Sequence, residues 1–180
     1  CYLKMSGSLI IYSSTDGHTK IICEKIRSIS KNSSSIKIVT LSEANHLNLQ
    51  IYEHIIIGAS IRYGKHNKNL YKFISSNKEI LEKKRSAFFS VNVVARKPEK
   101  NTPETNPYVQ KFLKISNWKP DKLGVFAGKV DYLKYNFIDK LLIQLIMFIT
   151  KGPTDTSKSY EFTDWSKVED FSKEIDQITL

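Results

Sequence analysis

Five apolar runs bounded by turn-forming residues punctuate the chain, at Ser8–Ser13, Ile36–Leu41, His54–Ser60, Ala87–Val94 and Leu123–Val130. Several are continuously apolar rather than alternating, IIIG at 55–58 most plainly, which is the pattern of strands covered on both faces. Between them the period lengthens to that of a helix. Thr19–Ser30 places Ile21, Ile22, Ile26 and Ile29 at helical spacing, and comparable patterns cover Asn67–Lys84, Thr105–Ile115 and Asp164–Ile178. Ser or Thr in the turn before the first helix, and Thr163 or Asp164 before the last, are expected as N-caps. Strands alternating with helices predict one α/β domain built on a doubly wound parallel sheet with right-handed crossovers.

No repeat or low-complexity linker interrupts the 180 residues. Residues 1–7 are expected to be an N-terminal extension, with Met5 a natural start that makes Cys1–Lys4 dispensable, and residues 8–180 the domain. The two cysteines, Cys1 and Cys23, form no CxxC or metal-like grouping, so a reducing compartment is expected. Lys and Arg number 28 against 18 Asp and Glu, a formal charge of +10. That balance favours an anionic partner: nucleic acid, acidic lipid or a polycarboxylate substrate.

Between the first apolar run and the first helix stands YSSTDGHTK. A strand feeding a turn that opens a helix gathers unpaired amides and the positive end of the helix dipole at one point, which suits a phosphate monoester. Ser13, Ser14, Thr15 and Thr19 add hydroxyl donors, and Gly17 lets the backbone come close. The lysine of GxxxxGK[ST] is absent and Gly17 stands alone, so neither that loop nor GxGxxG is present. Asp16 is expected to turn away from the anion or to cap an amide beside it. Read locally, the same residues also make a plain polar turn that caps the helix.

A Ser/Thr-rich first turn in a five-strand pattern whose third strand ends in GAS resembles the flavodoxin group. That resemblance implies a flavodoxin-like five-stranded parallel sheet of order 2-1-3-4-5, with FMN at the switch point between strands one and three. Longer stretches narrow the likeness: IIIGASIRYG (55–64), SAFFSVNVVARKPEKNTPETN (86–106), KFLKISNWKPD (111–121) and LIQLIM with GPTDT (142–147, 152–156). Together, from about Ser8 to Ile178, they resemble the menaquinone-dependent protoporphyrinogen IX dehydrogenases of bacterial haem synthesis. The resemblance implies FMN-dependent oxidation of protoporphyrinogen IX to protoporphyrin IX, with menaquinone or ubiquinone taking the electrons.

Carried onto this chain, the resemblance implies that Ser13, Ser14, Thr15, Asp16, Gly17, His18 and Thr19 hold the phosphate. It implies ring-holding loops at Ala59, Ser60, Ile61, Arg62, Tyr63 and Gly64, and at Ser90, Val91, Asn92, Val93, Val94, Ala95, Arg96 and Lys97. His18 is expected to serve through its backbone. Asn92 and the amides of Val93, Val94 and Ala95 are expected to meet the pyrimidine edge of the flavin. Tyr63 is expected to stack on the flavin, and Arg62, Arg96 and Lys97 to meet substrate carboxylates. Arg62 and Tyr63 are the catalytic candidates of a flavin-centred reaction; each also has a plain reading as a surface side chain. No nucleophile, carboxylate dyad or metal site is expected, since His46, His54 and His66 are scattered.

DYLKYNFIDKLLIQLIMFITKGPTD, beginning at 131, is more than a short flavodoxin needs, and residues 131–157 are expected to be an apolar helical insertion after strand five. A helix over 135–150 has Asn136, Asp139, Lys140 and Gln144 as a narrow polar stripe and is apolar elsewhere. At roughly 24 Å it is too short to span a bilayer core of about 30 Å. Core helix, interfacial helix and pocket wall remain open for it. Lys129, Lys134, Lys140 and Lys151 favour an anionic surface, so peripheral attachment to the cytoplasmic side of the bacterial inner membrane is expected. The rival readings are a non-enzymatic flavodoxin-type electron carrier and a nucleic-acid-binding domain. The carrier fits poorly with the positive charge, and the basic runs lack the aromatic ladder of a single-strand binder.

Overall fold

The computed structural model describes residues 7–178; the expectations for Cys1–Lys4 and Met5 lie outside these residues. In chain order the elements are β1 (Ser8–Ser13), α1 (His18–Ile29), β2 (Ile36–Thr40), α2 (Leu41–Ala44), β3 (His54–Ser60), α3 (Lys68–Lys83) and β4 (Arg85–Val91). There follow α4 (Pro107–Ser116), β5 (Lys122–Phe126), β6 (Lys129–Asp131), α5 (Phe137–Ile149), β7 (Ser159–Glu161) and α6 (Trp165–Ile178). Five strands form one parallel sheet, as the pattern predicts, in the order β2-β1-β3-β4-β5 that the flavodoxin resemblance implies. The short β6 and β7 pair antiparallel outside it.

The continuous apolar runs have a direct cause in strand geometry, where successive side chains point to opposite faces. Leu9, Ile11, Ile55, Ile57 and Phe88 enter one core with α3 and Phe112 of α4. Their chain neighbours Ile10, Ile56, Ala87 and Phe89 enter the other, against Ile22 and Ile26 of α1 and Phe171 of α6. Each central strand therefore supplies both cores and has no polar face.

Helix starts follow side-chain chemistry. Asn67 caps α3, and Asn106 caps α4 just ahead of Pro107, whose missing amide proton is harmless there. The helix expected from Thr105 thus begins two residues later. Asp164 accepts from the amides of Ser166 and Lys167 at the start of α6. The start of α1 differs from expectation: its N-cap is Gly17 at φ 85°, with no side-chain cap.

Three predicted strands stop short of their apolar runs, and β2 does so by one residue, Leu41, which opens α2. β4 stops at Val91 because Asn92 donates its amide to Phe126 and accepts the Ala95 amide with its side chain, curling Val93–Arg96 into a 3-10 turn. The fifth run is cut at Ala127–Gly128, and its second half leaves the sheet as β6. The segment 131–157 starts on the last residue of β6 and carries α5. β7 has no counterpart among the predicted elements.

Gly58 in β3 lies against the Phe89 ring, which a Cβ at that position would meet at 2.1 Å. Phe89 is fully buried and has no room to retreat. Gly58→Ala is expected to destabilise the fold by about 1–3 kcal/mol, read as a lower urea midpoint with an unchanged m-value.

Candidate functional site

The loops that follow β1, β3 and β4 meet at the carboxyl end of the sheet, beside the switch point between β1 and β3. At the first, the Gly17 amide donates to Ser14 Oγ at 2.9 Å. Gly17 has open space where a Cβ would stand, and the first turn of α1 holds no acidic residue. Thr19 is 1% exposed, and its hydroxyl has no hydrogen-bond partner. A buried, unsatisfied hydroxyl beside free helix-start amides is a donor set awaiting an acceptor. These residues fit a phosphate group. His18, by contrast, turns its ring away: Nε2 lies 2.6 Å from Thr163 Oγ1, which donates to the Ala127 carbonyl at 2.8 Å, so Nε2 carries the proton. Burial lowers the His18 pKa, and the nearby Lys129 lowers it further against the opposing pull of Glu161.

Asp16 also faces away from the helix start. Its carboxylate accepts from Arg62 at 3.2 Å and from the Tyr135 hydroxyl at 3.5 Å. Arg62 is shared: its other terminal nitrogen donates to Asp139 of α5 at 2.5 Å. The guanidinium lies 5.2 Å from the centre of the Tyr63 ring and 5.4 Å from that of Tyr135. Tyr63 holds a left-handed φ of 50°, costly for a residue with a Cβ, and donates its hydroxyl to Asp139. Asp139 is 5% exposed with both oxygens engaged. The Tyr63 hydroxyl, reinforced by Arg62, holds the Asp139 pKa below the usual carboxylate value despite burial. Burial beside Asp16 pushes the Tyr135 hydroxyl up to about 12. Ala59 is fully buried at the end of β3, and Ser60 Oγ donates to the Ser13 carbonyl at 3.4 Å.

In the third loop several expected ligand contacts are already made internally. The Asn92 amide group donates to Ser90 Oγ and Asn106 Oδ1, and its oxygen accepts from Ala95 and Asn106. Ser90 in turn meets His66 Nε2 at 2.9 Å, where burial lowers the imidazole pKa to about 4 and keeps it neutral. Ser90, Val91 and Ala95 are buried beneath the loop. The amides that remain at the start of the turn are those of Val93 and Val94. Arg96 donates to the Val93 carbonyl and to both the carbonyl and hydroxyl of Thr150, which ties this loop to the end of α5.

A pocket of about 230 Å³ opens between these loops and α5. Of the residues expected at the site, Asp16, Ile61–Gly64, Asn92–Val94, Arg96 and Lys97 line it. Ser13–Thr15, Gly17–Thr19, Ala59, Ser60, Ser90, Val91 and Ala95 do not. Lys100, Tyr108, Lys129, Tyr135 and Met147 line it without having been singled out as site residues. Lys100 was within reach of sequence reasoning, three residues after Lys97 across a proline.

Comparison with known proteins agrees with this fold. The profile described as "Flavodoxin domain" matches residues 9–157. "Protoporphyrinogen IX dehydrogenase [quinone]" of Leishmania major is 41% identical over 174 residues, covering 96% of this chain and 75% of that protein. The protein of the same name from Escherichia coli K12 is 39% identical over 173 residues, covering 96% of each. The chain belongs to this dehydrogenase family. Among solved structures, oxidised flavodoxin 1 from Bacillus cereus superposes with a TM-score of 0.54 at 16% identity, over 96% of this chain and 98% of that one. An archaeal flavodoxin gives 0.53 at 12% identity, over 97% and 100%. At such identities the structural likeness speaks to the fold alone.

In this member of the dehydrogenase family α5 is oriented inside out. The side that carries Asp139 and Met147 is buried, and Gln144 donates inward to the Thr154 carbonyl. Phe137 is 76% and Phe148 74% exposed, with Ile138, Leu141, Leu145 and Ile149 at least half exposed beside them. The core-helix reading of this segment is therefore wrong. Asp139 and Gln144 of its polar stripe are taken up by tethers, while Leu142, Ile143 and Ile146 wall the pocket. No helix among the described residues is long and apolar enough to cross a membrane.

Because the folded Asp139 pKa lies below its unfolded value, the Arg62–Asp139–Tyr63 contact is fully present above about pH 4 and is lost as pH falls through the folded value. Limited proteolysis, with an acid-active protease at low pH and a neutral protease at about pH 7, is expected to show α5 becoming cleavable only in the acid range. Asp139→Asn is expected to be cleaved at neutral pH as well, with a flat pH response. Equal protection of variant and wild type at both pH values would refute the tether.

Proposed function

We propose that this chain binds FMN and oxidises protoporphyrinogen IX to protoporphyrin IX, with menaquinone or ubiquinone as acceptor at the cytoplasmic face of the bacterial inner membrane. The observation that carries the reading is the placement, at the carboxyl end of the sheet, of a phosphate-fitting helix start beside a basic and apolar pocket. The names of relatives about 40% identical over nearly the whole chain support the same donor and acceptor classes.

A bound flavin supplies the two-electron chemistry. The chain's residues bind, orient and exclude water. Amides of the turn after Ser13, with the hydroxyls of Ser14, Thr15 and Thr19, hold the phosphate. Asp16 is kept from repelling it by the Arg62 cation. The loops at 59–64 and 90–97 hold the ring, with Tyr63 and the Val93 and Val94 amides nearest the pocket. Leu142, Ile143 and Ile146 exclude water from it.

The exposed face of α5 is the membrane-facing element of this reading. An apolar surface of this kind marks an interaction site, and the cations Lys134, Lys140 and Lys151 flank it. A soluble electron carrier has no use for such a face, and a net charge of +10 fits poorly with one that docks on basic partners.

The visible spectrum of the purified protein is expected to show flavin absorption that bleaches when protoporphyrinogen IX is added without oxygen. A coloured protein that does not bleach is a carrier, and a protein that cannot take up FMN is neither. Flotation with anionic vesicles is expected to weaken with salt. Phe137→Ser with Phe148→Ser should cut vesicle partition by about tenfold or more; partition at the wild-type level would remove α5 from the membrane contact.

A further inference from the structure

We infer that Lys97 and Lys100 form the carboxylate receptor of the pocket and grip the two acid side chains of the tetrapyrrole. This rests on the proposed substrate and identifies the cations that read it. Five basic residues line the pocket, and three of them are already engaged. The Arg62 fork is held by Asp16 and Asp139. Arg96 is bonded to Val93 and Thr150, and the Lys129 ammonium stands 3.7 Å from Asp131. The ammonium groups of Lys97 and Lys100 have neither an ion pair nor a hydrogen bond among the described residues.

Their backbone is built to present them together. Lys97 is the N-cap of the 3-10 turn Pro98–Lys100, and the Lys100 amide donates to the Lys97 carbonyl at 2.9 Å. That bond closes the turn and brings the two residues together, and both line the one pocket. Pro98 fixes the first φ of that turn. The Lys100 carbonyl accepts from the fully buried Asn106 at 2.8 Å, and Asn106 is locked to Asn92 beneath the pocket floor. The pair is therefore mounted on the polar network that also shapes the third loop.

Two half-buried cations of like sign repel one another until an anion comes between them. A ligand with two carboxylates relieves both charges through charge-assisted hydrogen bonds, while Val94, Ile143 and Ile146 face its apolar body. Arginines tied into the fold cannot make that exchange without freeing Asp16, Asp139 or the end of α5.

The test uses the full chain with protoporphyrin IX and its dimethyl ester, each titrated at low ionic strength and followed by porphyrin fluorescence, so that turnover plays no part. Wild-type protein is expected to bind the diacid about tenfold or more tighter than the ester, with the gap closing as salt rises. Lys97→Gln with Lys100→Gln should bind both at the ester's affinity, and either single change should lose part of the preference. These ammonium groups hold nothing in the fold, so the circular dichroism should remain that of wild type. Retention of the full diacid preference by the double variant overturns the receptor and leaves the substrate reading intact. Equal binding of diacid and ester by wild type does the same. Failure of wild type to bind either porphyrin overturns both.

Discussion

Arg62 is the point on which the pocket is assembled. Its guanidinium neutralises Asp16 on the phosphate turn and Asp139 on α5, and the rings of Tyr63 and Tyr135 lie within about 5 Å of it. One cation between two carboxylates leaves a net negative cluster. That cluster is tolerable because each carboxylate also accepts a tyrosine hydroxyl and because the pocket beyond is rich in lysine. Without this sharing, Asp16 would project its charge toward a helix start that otherwise suits an anion.

The same interaction explains how α5 keeps an apolar outer face. A helix docked by hydrophobic burial must turn its apolar side inward. Here Met147 and Ile143 pack against Val130 and Tyr132, and polar tethers hold the helix at three levels: Asp139 on Arg62 and Tyr63 near the start, Gln144 on Thr154 in the middle, and Thr150 under Arg96 at the end. Met147 alone is buried among its apolar residues. With Asp139 and Gln144 taken up by these tethers, Phe137, Leu141, Leu145 and Phe148 are left for an outside surface. Pocket wall and exposed face thus belong to one short helix.

Much of the fold was legible along the chain. β1 and β3 match their apolar runs residue for residue, and the parallel sheet follows from strands alternating with helices, its order having come from the flavodoxin resemblance. Errors arose where an apolar run outlasts its strand. Val93 and Val94 look like strand residues, but the Asn92 side chain captures the Ala95 amide and bends the chain. At Ala127–Gly128 the fifth run turns off to pair with β7, a partner some thirty residues further on that no local pattern announces. The site shows the same division. The turn after Ser13 could be read from its composition as one whose donors fit a phosphate, whereas the engagement of Arg62 and Arg96 by internal partners could not be read.

The sequence by itself determined the five strands of the main sheet in outline, most helix boundaries and the chemistry available to each loop, because hydrophobic period, capping side chains and glycine conformation act between residues a few positions apart. Only the tertiary structure decided which charges are free. Asp16 meets Arg62 across 46 residues, Arg62 meets Asp139 across 77, and Tyr135 reaches Asp16 across 119. At such separations pairing depends on how layers pack around the sheet. The same packing fixed which side of α5 turned inward, since the polar stripe found partners there and the apolar majority did not.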